Sequence, residues 1–176
     1  GTNEINKLVI IGMIIKKALK GHLNLIEKAE DVANELTDIP SFDIPEFDEL
    51  FYEEKYVIKN LKKVFLMLAG AGMKKFGMDL EKEQEVLLRI SEIIIEIYMS
   101  ESAILRTEKN SKRFGSENQS SQIAMSKLYL YESCELIIKK AKELIVSLSD
   151  GSEQKFLLSG LKRFTKYFNY PNLLSE

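Results

Sequence analysis

Apolar residues recur along this chain at spacings of three and four, in runs that extend far before a glycine or proline interrupts them. The clearest run lies between about Leu80 and Arg113. There Leu87, Ile90, Ile94 and Ile97 share one helix face, while Glu85, Arg89, Glu92 and Glu96 repeat with the same period opposite. A solvated polar face is the expectation for that second set. A helix from about Phe47 to Phe76 carries Leu50, Val57, Leu61, Val64 and Leu68, with Gly70 and Gly72 near its end and Gly77 breaking it. From about Asn118 to Ser149, Tyr131, Cys134, Ile138, Ala141, Ile145 and Leu148 form another stripe, with Glu135 and Lys139 spaced to pair outside it. After the turn Asp150-Gly151-Ser152, a shorter helix to about Phe168 aligns Leu157, Leu161, Phe164 and Phe168.

The beginning of the chain reads differently. A first helix, about Ile5 to Lys20, ends at Gly21, a natural left-handed cap, with Lys16, Lys17 and Lys20 placed to complement its dipole. Its middle, Leu8-Val-Ile-Ile-Gly-Met-Ile-Ile15, is apolar on every face, which predicts burial all round by partners not all present here. A second helix covers about Asn24 to Glu35, before a linker over Thr37–Pro45. The three prolines, Pro40, Pro45 and Pro171, interrupt no periodic segment. No internal repeat or strand-period hairpin pattern accompanies these runs. The fold class is therefore all-α: an antiparallel bundle of about five to six helices, three of them near 45 Å long.

Composition narrows the function more than it identifies it. At 176 residues the chain is the size of one domain, and 25 basic against 27 acidic residues leave a net charge of −2. No global field attracts nucleic acid, and none is expected as a partner. A single cysteine, Cys134, and a single histidine, His22, exclude a disulfide framework, Cys-rich zinc and every metal site that needs two imidazoles. Cys134 lies on a core stripe far in sequence from His22 and reads as a packing residue; His22 follows a helix-ending glycine and reads as a loop residue. The carboxylates Glu81, Glu83, Glu85, Glu92, Glu96 and Glu101 lack an accompanying histidine, and Asp38, Asp43, Glu46 and Asp48 lack the spacing of a calcium loop, so no metal is expected. Lys155, Lys162, Arg163 and Lys166 opposite phenylalanines sketch a basic amphipathic helix, suited either to weak membrane-surface contact or to closing the bundle. Leu8–Ile15 and Val64–Met73 are the longest apolar runs and fall short of the roughly 18 residues a membrane span needs. With no basic leader pattern at the first residues, a cytoplasmic location is the default expectation.

The first seven residues add a resemblance. Gly1-Thr2-Asn3-Glu4-Ile5-Asn6-Lys7 resembles the segment just after the catalytic glutamate of acyl-CoA dehydrogenases, where an aromatic residue and Glu precede Gly, Thr, a small polar residue, Glu or Gln, then Ile. The stretch Lys7–Gly21, with its ending Lys16-Lys17-Ala18-Leu19-Lys20-Gly21, looks like bacterial long-chain members. The remainder, including Arg106-Thr107-Glu108-Lys109, is similar to the extra C-terminal helical domain of the long-chain and very-long-chain enzymes. Shorter-chain members often carry Arg where this chain has Gly12, which fits the long-chain type.

The resemblance implies a parent flavoenzyme that performs α,β-dehydrogenation of fatty acyl-CoA in fatty acid oxidation, with FAD as cofactor and electron-transfer flavoprotein and sister subunits of a homo-oligomer as partners. Residues 1–21 would end its catalytic helical domain, and residues 22–176 would form the extension, a helical scaffold and oligomer interface. Gly1 would contact the acyl-CoA substrate beside the flavin. Thr2, Asn3 and Glu4 would touch FAD, at its adenosine–phosphate end across a subunit contact. The base would immediately precede Gly1, so no catalytic residue is expected within this piece, and alone it should be inactive and should not hold FAD tightly. The alternative is a stand-alone helical module for protein interaction or membrane-peripheral attachment.

Overall fold

The computed structural model describes residues 2–38 and 49–166. Gly1, the segment around Pro40 and Pro45 with Asp43, Glu46, Phe47 and Asp48, and the tail with Phe168 and Pro171 lie outside the described residues. Six α-helices follow one another: α1 (Thr2–Leu19), α2 (Leu25–Thr37), α3 (Tyr52–Phe76), α4 (Gln84–Phe114), α5 (Ser120–Leu148) and α6 (Gly151–Phe164). No strand occurs among the described residues. The fold is the expected all-α bundle.

Ion pairs along the seams give the directions of the long helices. Lys55 meets Glu108 and Lys62 meets Glu101, so α3 runs against α4. Arg89 meets Glu143, Glu92 meets Lys140, and Thr107 shares a hydrogen bond with Ser126, so α4 runs against α5. Between these three helices the sequence stripes close into one core: Leu61, Val64, Leu68, Leu87, Ile90, Ile97, Ala141, Ile145 and Leu148 are all buried. α2 packs on α3, α6 on α3 and α5, and α1 on α4.

Three departures from the sequence expectations have clear causes. α4 begins at Gln84 rather than Leu80, because a 3-10 helix over Gly77–Lys82 makes the reversal after α3 and buries Leu80. α3 begins at Tyr52 because Phe51 holds a left-handed φ of 64°, a conformation a bulky residue adopts only when its surroundings enforce it, and here its ring is buried. The polar row on α4 is solvated only at its start, where Glu85 is exposed and the Arg89 side chain is 41% exposed. Glu92 and Glu96 lie half-buried in the seam with α1 and α5, bonded to Lys7, Lys140, Tyr129 and Ser133.

α1 departs most. Its one fully buried residue is Ile11, while Ile5, Val9 and Met13 are 62%, 52% and 54% exposed. The helix lies on the outside of the bundle with Leu8, Ile11, Ile14 and Ile15 turned inward, so burial all round does not hold within this chain. Gly21 does cap it, with φ 72° and the His22 amide donating to the Lys17 carbonyl. Near the other end of the chain, Leu157, Leu161 and Phe164 turn the apolar face of α6 into the bundle, and Arg163 donates to the carbonyls of Glu35 and Asp38, closing the C-terminus of α2. No helix among the described residues is long and apolar enough to cross a membrane.

Candidate functional site

Thr2, Asn3 and Glu4 form the first turn of α1, and all three are exposed on the outside of the bundle. A helix start suits this position: Glu4 carries negative charge in the first turn, where the dipole favours it, and the first backbone N–H groups have no partner within the helix. The hydroxyl, the carboxamide and the first-turn backbone amides can donate to a phosphate, and the carboxylate can accept from a ribose hydroxyl or the adenine amine, which together make an adenosine–phosphate edge of a dinucleotide. The residues thus fit one edge of an FAD contact. They do not enclose a pocket, which a flavin needs for tight binding.

What fixes this turn lies five residues further on. Ser91, 0% exposed on α4, donates its hydroxyl to the Lys7 backbone carbonyl at 2.8 Å. The Lys7 ammonium donates to one carboxylate oxygen of Glu92 at 2.7 Å, and Lys140 from α5 donates to the other at 2.5 Å. Partial burial pushes the Glu92 carboxyl up, but the hydrogen bonds from Lys140 and Lys7, with their charges, outweigh it and hold the group below its ordinary value. Glu92 therefore stays ionised between two ammonium groups, and three helices meet at it.

Below the clamp, α1 forms one wall of an apolar groove of about 800 Å³ that opens to solvent, its other walls coming from α2, α3 and α6, with Ile14, Ala18, Ala29, Gly70 and Phe156 among its lining. A Cβ at Gly12 would meet nothing within 4 Å, so crowding inside this chain does not dictate glycine there.

The other candidate chemistry is absent. Cys134 is 1% exposed, and burial, then the charge of Glu135, pushes its thiol up to about 12, which removes it as a nucleophile. His22 is exposed in the turn after α1. No group of His, Cys, Asp and Glu among the described residues could hold a metal ion. Gly1, the expected substrate contact, lies outside the described residues. Sequence reasoning singled out Thr2 to Lys7 as a motif and Glu92 as a surface charge, but it did not connect them, and it passed over Ser91 and Lys140. Only the register of α4 against α1 and α5 brings those residues together.

Comparison with known proteins identifies the family. Residues 60–163 match the family model described as acyl-CoA dehydrogenase, C-terminal domain. The chain is 35% identical over 168 residues to a protein of Bacillus subtilis (strain 168) named probable acyl-CoA dehydrogenase, covering 94% of this chain and 28% of that protein. Among solved structures it is similar to an acyl-CoA dehydrogenase complexed with FAD from Bacillus anthracis, with a TM-score of 0.86 and 36% identity, over 93% of this chain and 27% of that one. The chain thus spans well under a third of the length of these relatives.

Proposed function

The chain belongs to the acyl-CoA dehydrogenase family by its C-terminal domain, and from that premise we propose that it is the C-terminal helical part of a FAD-dependent enzyme that dehydrogenates fatty acyl-CoA at the α,β bond. In that reading residues 1–21 end the catalytic helical domain and residues 22–176 form the extension. The extension serves as scaffold and as an interface between subunits of a homo-oligomer. Thr2, Asn3 and Glu4 touch FAD, Gly1 touches the acyl-CoA, and the general base is the residue before Gly1. Bound FAD supplies the hydride acceptor, and electron-transfer flavoprotein takes the electrons onward. Abstraction of the α-proton needs a base within hydrogen-bond reach of the substrate, so the segment that carries it must be held rigidly.

The observation that carries the reading is the state of the first turn of α1. Its polar side chains are exposed, while Lys7, one turn further on, is bonded through backbone and side chain to α4. A turn that served only as a helix start would not need that anchorage. Membership of acyl-CoA oxidation and a cytoplasmic setting follow as parts of the same proposal.

The coding sequence directly upstream of Gly1 tests it. An aromatic residue followed by Glu, in a frame several hundred codons longer, is the expected result. A start codon at that point would overturn the reading in favour of a stand-alone interaction module.

A further inference from the structure

We propose that Glu92 is a positioning residue for the flavin-side turn: acting through Lys7, it sets the rotation and the rise of α1 against α4 and α5, and so where Thr2, Asn3 and Glu4 stand. The inference rests on the reading of that turn as an FAD contact.

α1 has little else to set its register. Its inward side is one apolar row, Leu8, Ile11, Ile14 and Ile15, of which Ile11 alone is fully buried. Apolar contact is non-directional and tolerates small slides and rotations, whereas a hydrogen bond weakens steeply with angle and distance. Two directional bonds meet at Lys7. The one from Ser91 grips the backbone carbonyl, so it fixes the helix itself and not merely a flexible side chain. The one to Glu92 fixes the direction in which Lys7 leaves the helix.

Glu92 differs from an ordinary surface charge in being held at both carboxylate oxygens. Its side chain is 26% exposed and lies between Lys7 and Lys140, each ammonium taking a different carboxylate oxygen. Lys140, the more buried of the two lysines, comes from α5, so the orientation of the carboxylate is set by the core pair α4 and α5 and handed on to α1. Lys7 is only about 7.5 Å along the helix axis from Thr2, so an error at the clamp reaches the flavin-side turn almost undiminished. Displacements of about 1 Å far from the reacting atoms can cost up to about a hundredfold in rate.

The test uses the full-length dehydrogenase with Glu92→Gln and Lys7→Met, and with Lys62→Met as control, since Lys62 pairs with Glu101 away from α1. Lys7→Met leaves Glu92 paired with Lys140 and so decides the matter if Glu92→Gln does not fold. Flavin retained per subunit after gel filtration, kcat and KM with palmitoyl-CoA, and amide exchange over residues 4–8 are measured together. The expected result is faster exchange in that segment, loss of flavin, and kcat lower by about ten- to a hundredfold with KM changed less than about twofold, for both variants but not for the control. Lys7→Arg, which keeps the donor, should restore most of kcat. Flavin content, kcat and exchange equal to the unmodified enzyme in both variants would overturn the proposal. An unmodified enzyme that itself lacks flavin and turnover would instead overturn the functional reading, and the positioning role with it.

Discussion

Gly160 on α6 and Met67 on α3 approach so closely that a Cβ on the glycine would stand 2.8 Å from the methionine sulfur and 3.0 Å from a methyl of Leu36 on α2. Three helices converge where that hydrogen is, and the intruding atom would press on two of them at once. Gly12 in the middle of α1 has nothing within 4 Å of the same position. One substitution should therefore have opposite signs at the two sites. Gly12→Ala should stabilise the chain by about 0.5–1 kcal/mol, the usual gain from replacing a helical glycine. Gly160→Ala makes the same gain but must push aside the flexible ends of Met67 and Leu36 in a buried contact, for a net loss of up to about 1 kcal/mol. Urea unfolding midpoints of the two variants check this, and a stabilised Gly160→Ala would show the contact to be loose.

Cys134 should be inert in the native protein. Its thiol is buried in the α5 stripe and pushed up to about 12, so both access and thiolate fraction are low. Labelling by a thiol reagent at pH 8 should be at least about a hundredfold slower than in denaturant. Equal rates would place the α5 stripe outside the core.

Glu108 should make stability depend on acid. Hydrogen bonds from Lys55 and Lys112 hold its carboxyl below the ordinary 4.5 despite burial. A group depressed in the folded state contributes stability that is fully present above its unfolded value and lost as pH falls through the folded one. Glu108→Gln should thus cost about 1–2 kcal/mol at pH 7, with the gap to the parent chain closing below about pH 4.5. A gap that stays constant from pH 7 to pH 3.5 would contradict the assignment.

The α3, α4 and α5 stripes were legible in the sequence because burial by a helical neighbour imposes a period of three and four, and Leu61, Leu68, Ile90 and Ile145 obey it. The same logic misplaced Glu92 and Glu96. A row of charges with helical period looks alike whether water or a second row of polar groups faces it, and Lys140, Tyr129 and Ser133 lie on another helix whose register the sequence does not print. Leu8–Ile15 misled in the other direction: apolar composition on all sides reports what a helix is built to touch, and this chain covers only the Ile11 side. Of the site, the Gly1–Lys7 motif was readable from its resemblance to the family. Its anchorage was not, because Ser91 and Glu92 become part of it only through packing 84 and 85 positions away.

The exposed row Ile5, Val9 and Met13 has a consequence for the isolated chain. Contiguous apolar surface of this kind drives association, so the 176-residue chain should form dimers or larger species at about 50 µM. Val9→Lys should shift it toward monomer. Light scattering that shows a clean monomer for the unmodified chain would argue against that face as an interface.

The central claim, that these residues contribute one edge of a flavin site whose remainder lies upstream, is tested most directly by flavin content. Visible absorbance should be measured on the purified 176-residue chain and on the full-length protein, each with dye reduction by long-chain acyl-CoA. The account predicts a colourless, inactive 176-residue chain and a yellow full-length protein that turns over acyl-CoA. A stoichiometric flavin chromophore on the 176-residue chain, or a full-length protein with neither flavin nor turnover, would contradict it.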